Sequence, residues 1–187
     1  MSLADLKIKI VRLGAVDGNL LEYLSLTLPA AFGAGCAEVA VVALDTSEAY
    51  DARRRQFHST KLLAQLRDVD APEGSKVLGV TEVDLFIPIF TFVFGEAEVG
   101  GSAALMSTHR LHQEFYGLPD DNKLLFARAE KEAVHELGHA CGLAHCRSFD
   151  CVMRFSNSVE QVDLKPCNFC QLCETRLRGR SGSTLAA

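Results

Sequence analysis

The segment 135–145 combines residue types that could hold a metal ion and use it for hydrolysis. It reads H-E-L-G-H-A-C-G-L-A-H. Residues four apart lie on one face of a helix, about 6 Å apart at Cβ, so His135 and His139 can bind one ion from the same side. Glu136 points about 100° further around the helix, where its carboxylate can reach a water on the metal. These residues at this spacing predict a catalytic zinc site.

Gly142 makes a third histidine ligand sterically feasible. In a continuing helix, His145 would lie off the face that carries His135 and His139. Glycine adopts positive φ at low steric cost, so it can end the helix and turn the chain until His145 returns to the ion. Three protein ligands leave one tetrahedral position open for chemistry. The full spacing H-E-x-x-H-x-x-G-x-x-H is the metzincin signature. A routine amphipathic helix with a C-cap glycine would not explain these spacings together.

Five of the seven cysteines follow the histidine segment. Cys146 and Cys151 come first, and Cys170 with Cys173 forms a C-x-x-C pair further on. Two cysteine pairs from separate segments suit a closed structural zinc site with four thiolates. Cys167 with Cys170 is an alternative C-x-x-C pair. The spacing alone therefore leaves two choices for the second pair.

Composition and charge bound the class of protein and its partners. A chain of 187 residues with 48% hydrophobic and 23% charged residues fits one globular domain. The net charge of −5 argues against nucleic acid as a partner. There is no apolar run of the length that a membrane span needs, and the N-terminus lacks a signal-peptide pattern. We therefore expect no membrane partner and a cytoplasmic location, where clustered cysteines stay reduced and bind metal.

Hydrophobic periodicity predicts an α/β domain with a mixed, mostly parallel, twisted sheet. The predicted strands cover residues 6–11, 37–44, 76–86, 90–94 and 103–109. The valine-rich strand at 37–44 is expected to be buried. One later strand is expected to be antiparallel at the sheet edge, where it could bind an extended peptide. Loops are predicted at 45–58, with a solvated arginine run at 53–55, and at 95–102.

Three helices are predicted around this sheet. The first covers residues 18–28 and is ended by Pro29, and the second covers residues 60–68. The third is the long active-site helix, which begins at an N-cap at Asp121 or Asn122 and ends near the glycine of the metal motif. On this long helix, four polar residues are expected to be mainly solvated: Arg128, Glu130, Lys131 and Glu132.

The histidine motif and the residues behind it resemble one family. The string 135–145 is followed at once by Cys146, then by Cys151, Met153 and a downstream C-x-x-C, and this arrangement is similar to the archaemetzincin family of metallopeptidases. Three upstream and downstream segments also resemble family segments: 79–85 (GVTEVDL), 92–97 (FVFGEA) and 155–158 (FSNS). The resemblance covers most of the chain beyond its first forty or so residues.

The resemblance implies roles for the catalytic motif. His135, His139 and His145 would bind the catalytic zinc, and Glu136 would be the general base. Met153 would lie beneath this zinc in a Met-turn. Zinc bound by three imidazoles keeps its charge and lowers the pKa of a bound water, which makes peptide hydrolysis the expected reaction.

The resemblance also implies a ligand set for the second metal. Cys146, Cys151, Cys170 and Cys173 would bind a structural zinc, which makes two zinc ions per chain. The family pattern F-C-x-x-C favours the pair Cys170 and Cys173 over the pair that includes Cys167.

A metzincin-like single domain over 1–187 is therefore expected. An N-terminal subdomain at 1–141 would hold the sheet and the active-site helix. A small zinc-stabilised C-terminal subdomain at 142–178 would hold the Met-turn and the cysteine site, followed by a flexible tail at 179–187. The expected protein is a monomeric zinc metallopeptidase that hydrolyses short peptides. The alternative is a non-catalytic zinc-stabilised binding module, against which Glu136 argues because a purely structural site has no use for a carboxylate there.

Overall fold

A computed structural model describes residues 6–33, 35–42 and 45–180. The strands in these ranges are β1 (Lys7–Leu13), β2 (Cys36–Val41), β3 (Tyr50–Asp51), β4 (Gln56–His58), β5 (Lys76–Thr81), β6 (Leu85–Phe86), β7 (Gly95–Ala97) and β8 (Ala103–Ser107). The helices are α1 (Gly18–Phe32), α2 (Ser59–Arg67), α3 (Asn122–Ala140), α4 (Val159–Leu164) and α5 (Gln171–Arg180).

The main sheet has the strand order β2-β1-β5-β8-β7. The first four strands are parallel, and β7 pairs antiparallel with β8 at the edge. A mixed α/β fold with a mostly parallel sheet was predicted, and the structure confirms it. An antiparallel edge strand was also predicted, without a stated position, and β7 is such a strand. It lies within the segment 95–102, so the prediction of a loop there was wrong for these residues.

Helices cover both faces of this sheet. The side chains of β1 contribute to a hydrophobic core on each face. Ile8 and Ile10 join a core with α1 and α3, whereas Val11 and Leu13 join a core with α2. Successive side chains of a strand point to opposite faces, so each strand supplies both cores. The long helix α3 thereby lies against the sheet next to the edge strand β7.

A second, small sheet was not predicted from the sequence. It has the order β3-β4-β6 and occupies part of the segment 45–58 that was predicted as a loop. The single strand predicted at 76–86 is two strands, β5 and β6, which belong to different sheets. The break between them lies at Asp84, whose carboxylate accepts hydrogen bonds from Arg110 and Gln56.

Residues 90–94 do not form the predicted strand. The backbone carbonyls of Phe90 and Thr91 accept hydrogen bonds from the side chains of Arg54 and Gln56 instead. These side chains satisfy groups that a neighbouring strand would otherwise satisfy. The segment therefore runs irregularly between β6 and β7.

The burial predicted for the strand at 37–44 is also wrong. β2 lies at the open edge of the main sheet, and the side chains of Val39 and Val41 are 43% and 77% exposed. A valine-rich run is compatible with either an edge or a centre, because β-propensity does not distinguish them. Leu44 lies outside the described residues.

Helix α1 continues through Pro29, which was predicted to end it. The helix reaches Phe32, and Gly33 caps it in the left-handed conformation with φ of 60°. Burial explains this, because Leu28 and Phe32 both belong to the core and the Phe32 ring packs on Phe169 at 5.4 Å. Packing of this last turn offsets the lost helical hydrogen bond.

The long helix begins and ends as predicted, but two of its polar residues are buried rather than solvated. Asp121 caps it by accepting a hydrogen bond from the backbone N–H of Leu124, and Gly142 follows its end with φ of 93°. Arg128 and Glu132 are 5% and 3% exposed, so the prediction that they are solvated is wrong. The chain after α3 folds back over them, which a helical pattern read alone does not reveal.

Helix α5 extends two residues into the tail that was predicted to begin at position 179. Gly179 and Arg180 belong to α5, and the remainder of the predicted tail lies outside the described residues. In the part of the chain that is described, no helix is long and apolar enough to cross a membrane.

Candidate metal centres and catalytic cleft

Three histidines converge at the C-terminal end of α3. One ring nitrogen from each of His135, His139 and His145 lies within 4.8 Å of the others. The Nε2 atoms of His135 and His139 are 3.2 Å apart. Helical spacing places the first two together, and the turn at Gly142 brings the third back, as the spacing predicted. The three nitrogens could hold one metal ion.

Backbone carbonyls orient two of these rings. His135 Nδ1 lies 2.8 Å from the carbonyl oxygen of Val152, and His139 Nδ1 lies 2.8 Å from that of Leu143. A carbonyl only accepts, so each Nδ1 carries the proton and each Nε2 keeps its lone pair for a metal. Burial lowers the pKa of all three histidines, most strongly that of His135. The neutral, ligating form of each imidazole is therefore favoured.

The Glu136 carboxylate lies beside this cluster and is only 5% exposed. Burial, and then the nearby Glu132 carboxylate, raise the pKa of Glu136 well above its usual value. A carboxylate of raised basicity at the edge of a metal site can accept a proton from water. The arrangement therefore offers an ion-binding cluster and a base in one place.

Gly95 of β7 makes room for that carboxylate, a role that was not predicted from the sequence. A Cβ at Gly95 would lie 2.7 Å from Glu136 Oε1 and 2.5 Å from the backbone oxygen of Leu105. Real Cβ atoms do not approach so closely, so only glycine fits here. The available signal was its place in the FVFGEA segment.

Met153 lies directly under the helix that carries the histidines. It is fully buried, and its side chain packs where a Cβ of Gly138 would be. Gly138 comes directly before His139, so the methionine contacts the helix between two candidate ligands. Met153 therefore packs against α3 at Gly138, between His135 and His139.

Four cysteines form a second cluster immediately beyond His145. One sulfur from each of Cys146, Cys151, Cys170 and Cys173 lies within 4.8 Å of the others. Four thiolates about 2.3 Å from a tetrahedral zinc lie about 3.8 Å from one another. The Sγ atoms of Cys146 and Cys170 are 3.8 Å apart. The cluster therefore has the donor set and the spacing that a structural zinc requires.

Thiolate character has a physical source at one cysteine of this cluster, Cys170, whereas burial raises the pKa of the Cys151 and Cys173 thiols. Cys170 directly precedes α5, and the backbone N–H of Cys173 lowers the pKa of the Cys170 thiol to about 7. Cys167, the alternative ligand, is apart from the cluster, and burial raises the pKa of its thiol to about 12. Burial likewise raises the pKa of Cys141 to about 11. The geometry brings together the pair Cys170 and Cys173 and leaves Cys167 aside.

A cleft of about 410 Å³ runs between β7 and α3 and contains the histidine cluster. Its polar side chains include Glu96, Glu132 and Glu136. Much of the remaining surface is apolar. It comes from the irregular segment before β7, from the turn after β7 and from the chain after Met153: Ile87, Phe90, Phe92, Phe94, Val99 and Phe155.

A family model described as Peptidase family M54 matches residues 36–179. The chain belongs to peptidase family M54. It is 43% identical over 175 residues to the archaemetzincin of Methanocaldococcus jannaschii, an alignment that covers 94% of each chain. The family assignment confirms the resemblance found in the sequence. It identifies the chain as a zinc metallopeptidase, and it does not favour the alternative of a non-catalytic binding module.

Solved structures of M54-like proteins share the fold. The archaemetzincin of Archaeoglobus fulgidus, crystallised with malonate, superimposes with a TM-score of 0.76 at 43% identity and covers 91% of this chain and 99% of that one. A zinc-dependent peptidase from Methanocorpusculum labreanum reaches a TM-score of 0.83 at 29% identity, with 91% and 99% coverage. The mixed α/β fold with its mostly parallel sheet is therefore that of the family.

One ion pair of this M54 chain was not foreseen. Lys165 Nζ lies 2.7 Å from Glu132 Oε1, and the two side chains are 1% and 4% exposed. The Lys165 charge contributes to the lowered pKa of all three histidines. A lysine so deeply buried is rare without a partner. Nothing local in the sequence pairs it with a glutamate 33 positions earlier.

Proposed function

We propose that His135, His139 and His145 bind the catalytic zinc of this peptidase and that Glu136 is its general base. The observation that carries the proposal is the convergence of three oriented imidazoles beside one buried carboxylate. Bound zinc would lower the pKa of a water to about 7 and polarise the peptide carbonyl. Glu136 accepts the proton of the attacking water and returns it to the leaving nitrogen.

A second zinc is proposed at Cys146, Cys151, Cys170 and Cys173, which gives two zinc ions per chain. Thiolates that fill all four positions leave none open, so this site is structural. The proposed division of the domain follows, with residues 1–141 carrying the sheet and the active-site helix and 142–178 forming the C-terminal subdomain. Met153 supports the histidine cluster from below.

The proposed substrate is a short peptide in extended conformation. β7 ends the main sheet beside the cleft, so a peptide can pair with it as an added strand while its scissile bond reaches Glu136. Phe155 closes one side of the cleft, its ring 5.1 Å from that of His145. A monomer in the cytoplasm is proposed, where reducing conditions keep the four thiolates available to zinc.

The Glu136→Gln variant tests the assignment. It keeps the size of the side chain but removes the base, so kcat should fall about 10²- to 10⁴-fold while the zinc content stays the same. Turnover of a peptide library and metal analysis by mass spectrometry measure both. Glu130→Gln, on the same helix but outside the cleft, is the matched control and should retain activity. Unchanged turnover by Glu136→Gln would disprove the role of the base.

A further inference from the structure

One wall of the catalytic cleft is the irregular segment 87–94, called here the cleft wall. Its second half is held by the main chain, since Val93 N–H donates to Leu85 and Phe94 accepts from Ser107 N–H. Its first half turns at Phe90, whose N–H donates to the carbonyl of Ile87 at 3.0 Å. The position of that turn depends on contacts from outside the segment.

Arg54 supplies those contacts together with Gln56. Arg54 Nη2 donates to the carbonyl oxygen of Phe90 at 2.8 Å and to that of Thr91 at 3.3 Å. Gln56 Nε2 donates to the same Thr91 oxygen at 3.0 Å. The Arg54 guanidinium also lies 4.2 Å from the centre of the Phe86 ring. A planar side chain with five donors is suited to holding two carbonyls at once.

The local backbone orients the Arg54 side chain toward the cleft wall. Asp51 Oδ1 accepts from the N–H groups of Arg53 and Arg54, and Arg55 has a positive φ of 56°. Arg53 and Arg55 are exposed, whereas Arg54 is half-buried. The arginine run that the sequence analysis predicted to be solvated therefore contains one anchoring residue between two solvated ones.

Phe90 connects Arg54 to the aromatic ring that lies next to the histidine cluster. Its carbonyl is held by Arg54, and its ring lies 6.2 Å from that of Phe155, which in turn lies 5.1 Å from the ring of His145. Phe90 and Phe155 are 44% and 45% exposed although both line the cleft. Two aromatic rings from separate segments thus offer apolar surface in the cleft, and one of them, Phe155, lies directly beside the histidine cluster.

We propose that Phe90 and Phe155 form a subsite for a large apolar side chain of the peptide substrate, and that Arg54 is a positioning residue that holds Phe90 in it. The inference rests on the proposed function, because the subsite adjoins its reaction centre. A phenylalanine or leucine side chain would bury both rings and gain hydrophobic and aromatic contact. An alanine is too small to contact both, and an aspartate would lose its hydration there.

The test compares Arg54→Met with Arg53→Met, which makes the same change of charge at a neighbouring exposed position. The substrates are peptides that differ at one position, with phenylalanine, alanine or aspartate. For Arg54→Met, KM for the phenylalanine peptide should rise about 10-fold, whereas kcat and KM for the alanine peptide should change less than about 2-fold. Arg53→Met should match the parent protein, and Arg54→Lys should recover part of the preference. Equal losses for all three peptides, or no loss, would refute the proposal.

A double variant shows whether Arg54 acts through Phe90. Phe90→Ala should remove the preference for phenylalanine, and adding Arg54→Met should then change nothing further. Additive effects would mean that Arg54 does not act through Phe90.

Binding in the Glu136→Gln background separates this inference from the proposed mechanism. The affinity of the same peptides for that protein, measured by fluorescence anisotropy, does not depend on turnover. A phenylalanine preference there that is lost with Arg54→Met supports the subsite even if the general base is assigned wrongly. Equal affinity for the phenylalanine and alanine peptides would refute the subsite while leaving the mechanism intact.

Discussion

At the scale of single residues, the position of Glu136, the proposed base, depends on the absence of a side chain at Gly95. Glu136 is brought close to β7 because Gly95 has no Cβ, and Gly138 leaves room for Met153 in the same way. Both glycines lie in regular elements, where glycine weakens the local structure. Glycine is nevertheless found at these two positions because the packing around Glu136 and Met153 leaves no room for a Cβ.

Gly95→Ala should therefore damage the proposed catalytic centre. The added methyl would press on the backbone oxygen of Leu105, which cannot move aside easily, and on the Glu136 carboxylate. We expect a loss of about 1–3 kcal/mol in the free energy of unfolding and a clear fall in kcat with zinc retained. Gly18→Ala is the control, because nothing lies within 4 Å of its Cβ position. A Gly95→Ala enzyme with the kcat of the parent would contradict the importance of this contact.

At the scale of elements, Asp84 connects three segments around the cleft wall. Its carboxylate accepts from Arg110 at 2.6 and 2.7 Å and from Gln56 of β4 at 2.9 Å. Its own carbonyl accepts from the N–H of Phe57. Burial acts to raise the pKa of Asp84, but these hydrogen bonds and the Arg110 charge outweigh it, so the pKa lies below its usual value. The ionised form therefore stabilises the fold.

The sign of this shift predicts a pH dependence. A carboxyl whose folded pKa is depressed contributes stability above its unfolded pKa of about 3.9 and loses it as pH falls through the folded value. Asp84→Asn should lower the free energy of unfolding by about 2 kcal/mol at pH 7. The difference from the parent should stay constant to about pH 5 and shrink below about pH 4. Urea unfolding across this range measures it, with the exposed Asp68→Asn as the control. A difference that grew on acidification would contradict the sign.

At the scale of the whole molecule, the two candidate metal-binding clusters share one segment of chain. His145 and Cys146 are consecutive, and Cys146 N–H donates to the carbonyl of Met153. The carbonyl of the preceding residue, Val152, orients the His135 ring. The N–H of Val152 donates to the backbone carbonyl of Asn168, which lies close in sequence to the second cysteine pair. The cysteine cluster is thus connected to the histidines through a few hydrogen bonds.

Removal of the second metal should therefore impair the first. The double variant Cys170→Ser/Cys173→Ser removes two of four thiolates, and metal binding in such sites is part of the folding free energy. We expect two zinc ions per chain in the parent and fewer than one in the variant, with weaker binding of the remaining ion. Cys167→Ser, outside the cluster, should keep both. A variant that holds one zinc with the affinity of the parent would show that the sites are independent.

Local periodicity was sufficient to predict the histidine face of α3, a cap at Asp121 or Asn122, of which the structure has Asp121, and an end near Gly142. These features depend on neighbours within a few positions, and helical geometry is the same in any surroundings. The cysteine pairs could also be recognised from their local spacing, although the choice of Cys173 over Cys167 as the partner of Cys170 needed the family pattern.

Tertiary structure alone decided the burial of Glu132 with Lys165, the contact of Gly95 with Glu136 and the attachment of Arg54 to the cleft wall. The same holds for Pro29 inside α1 and for β2 at an exposed edge. Each depends on which distant segment packs against the residue, and the free energy of burial is set by that partner. A charged or small residue has the same local pattern whether it faces water or a neighbouring element, so its role becomes visible only in the folded chain.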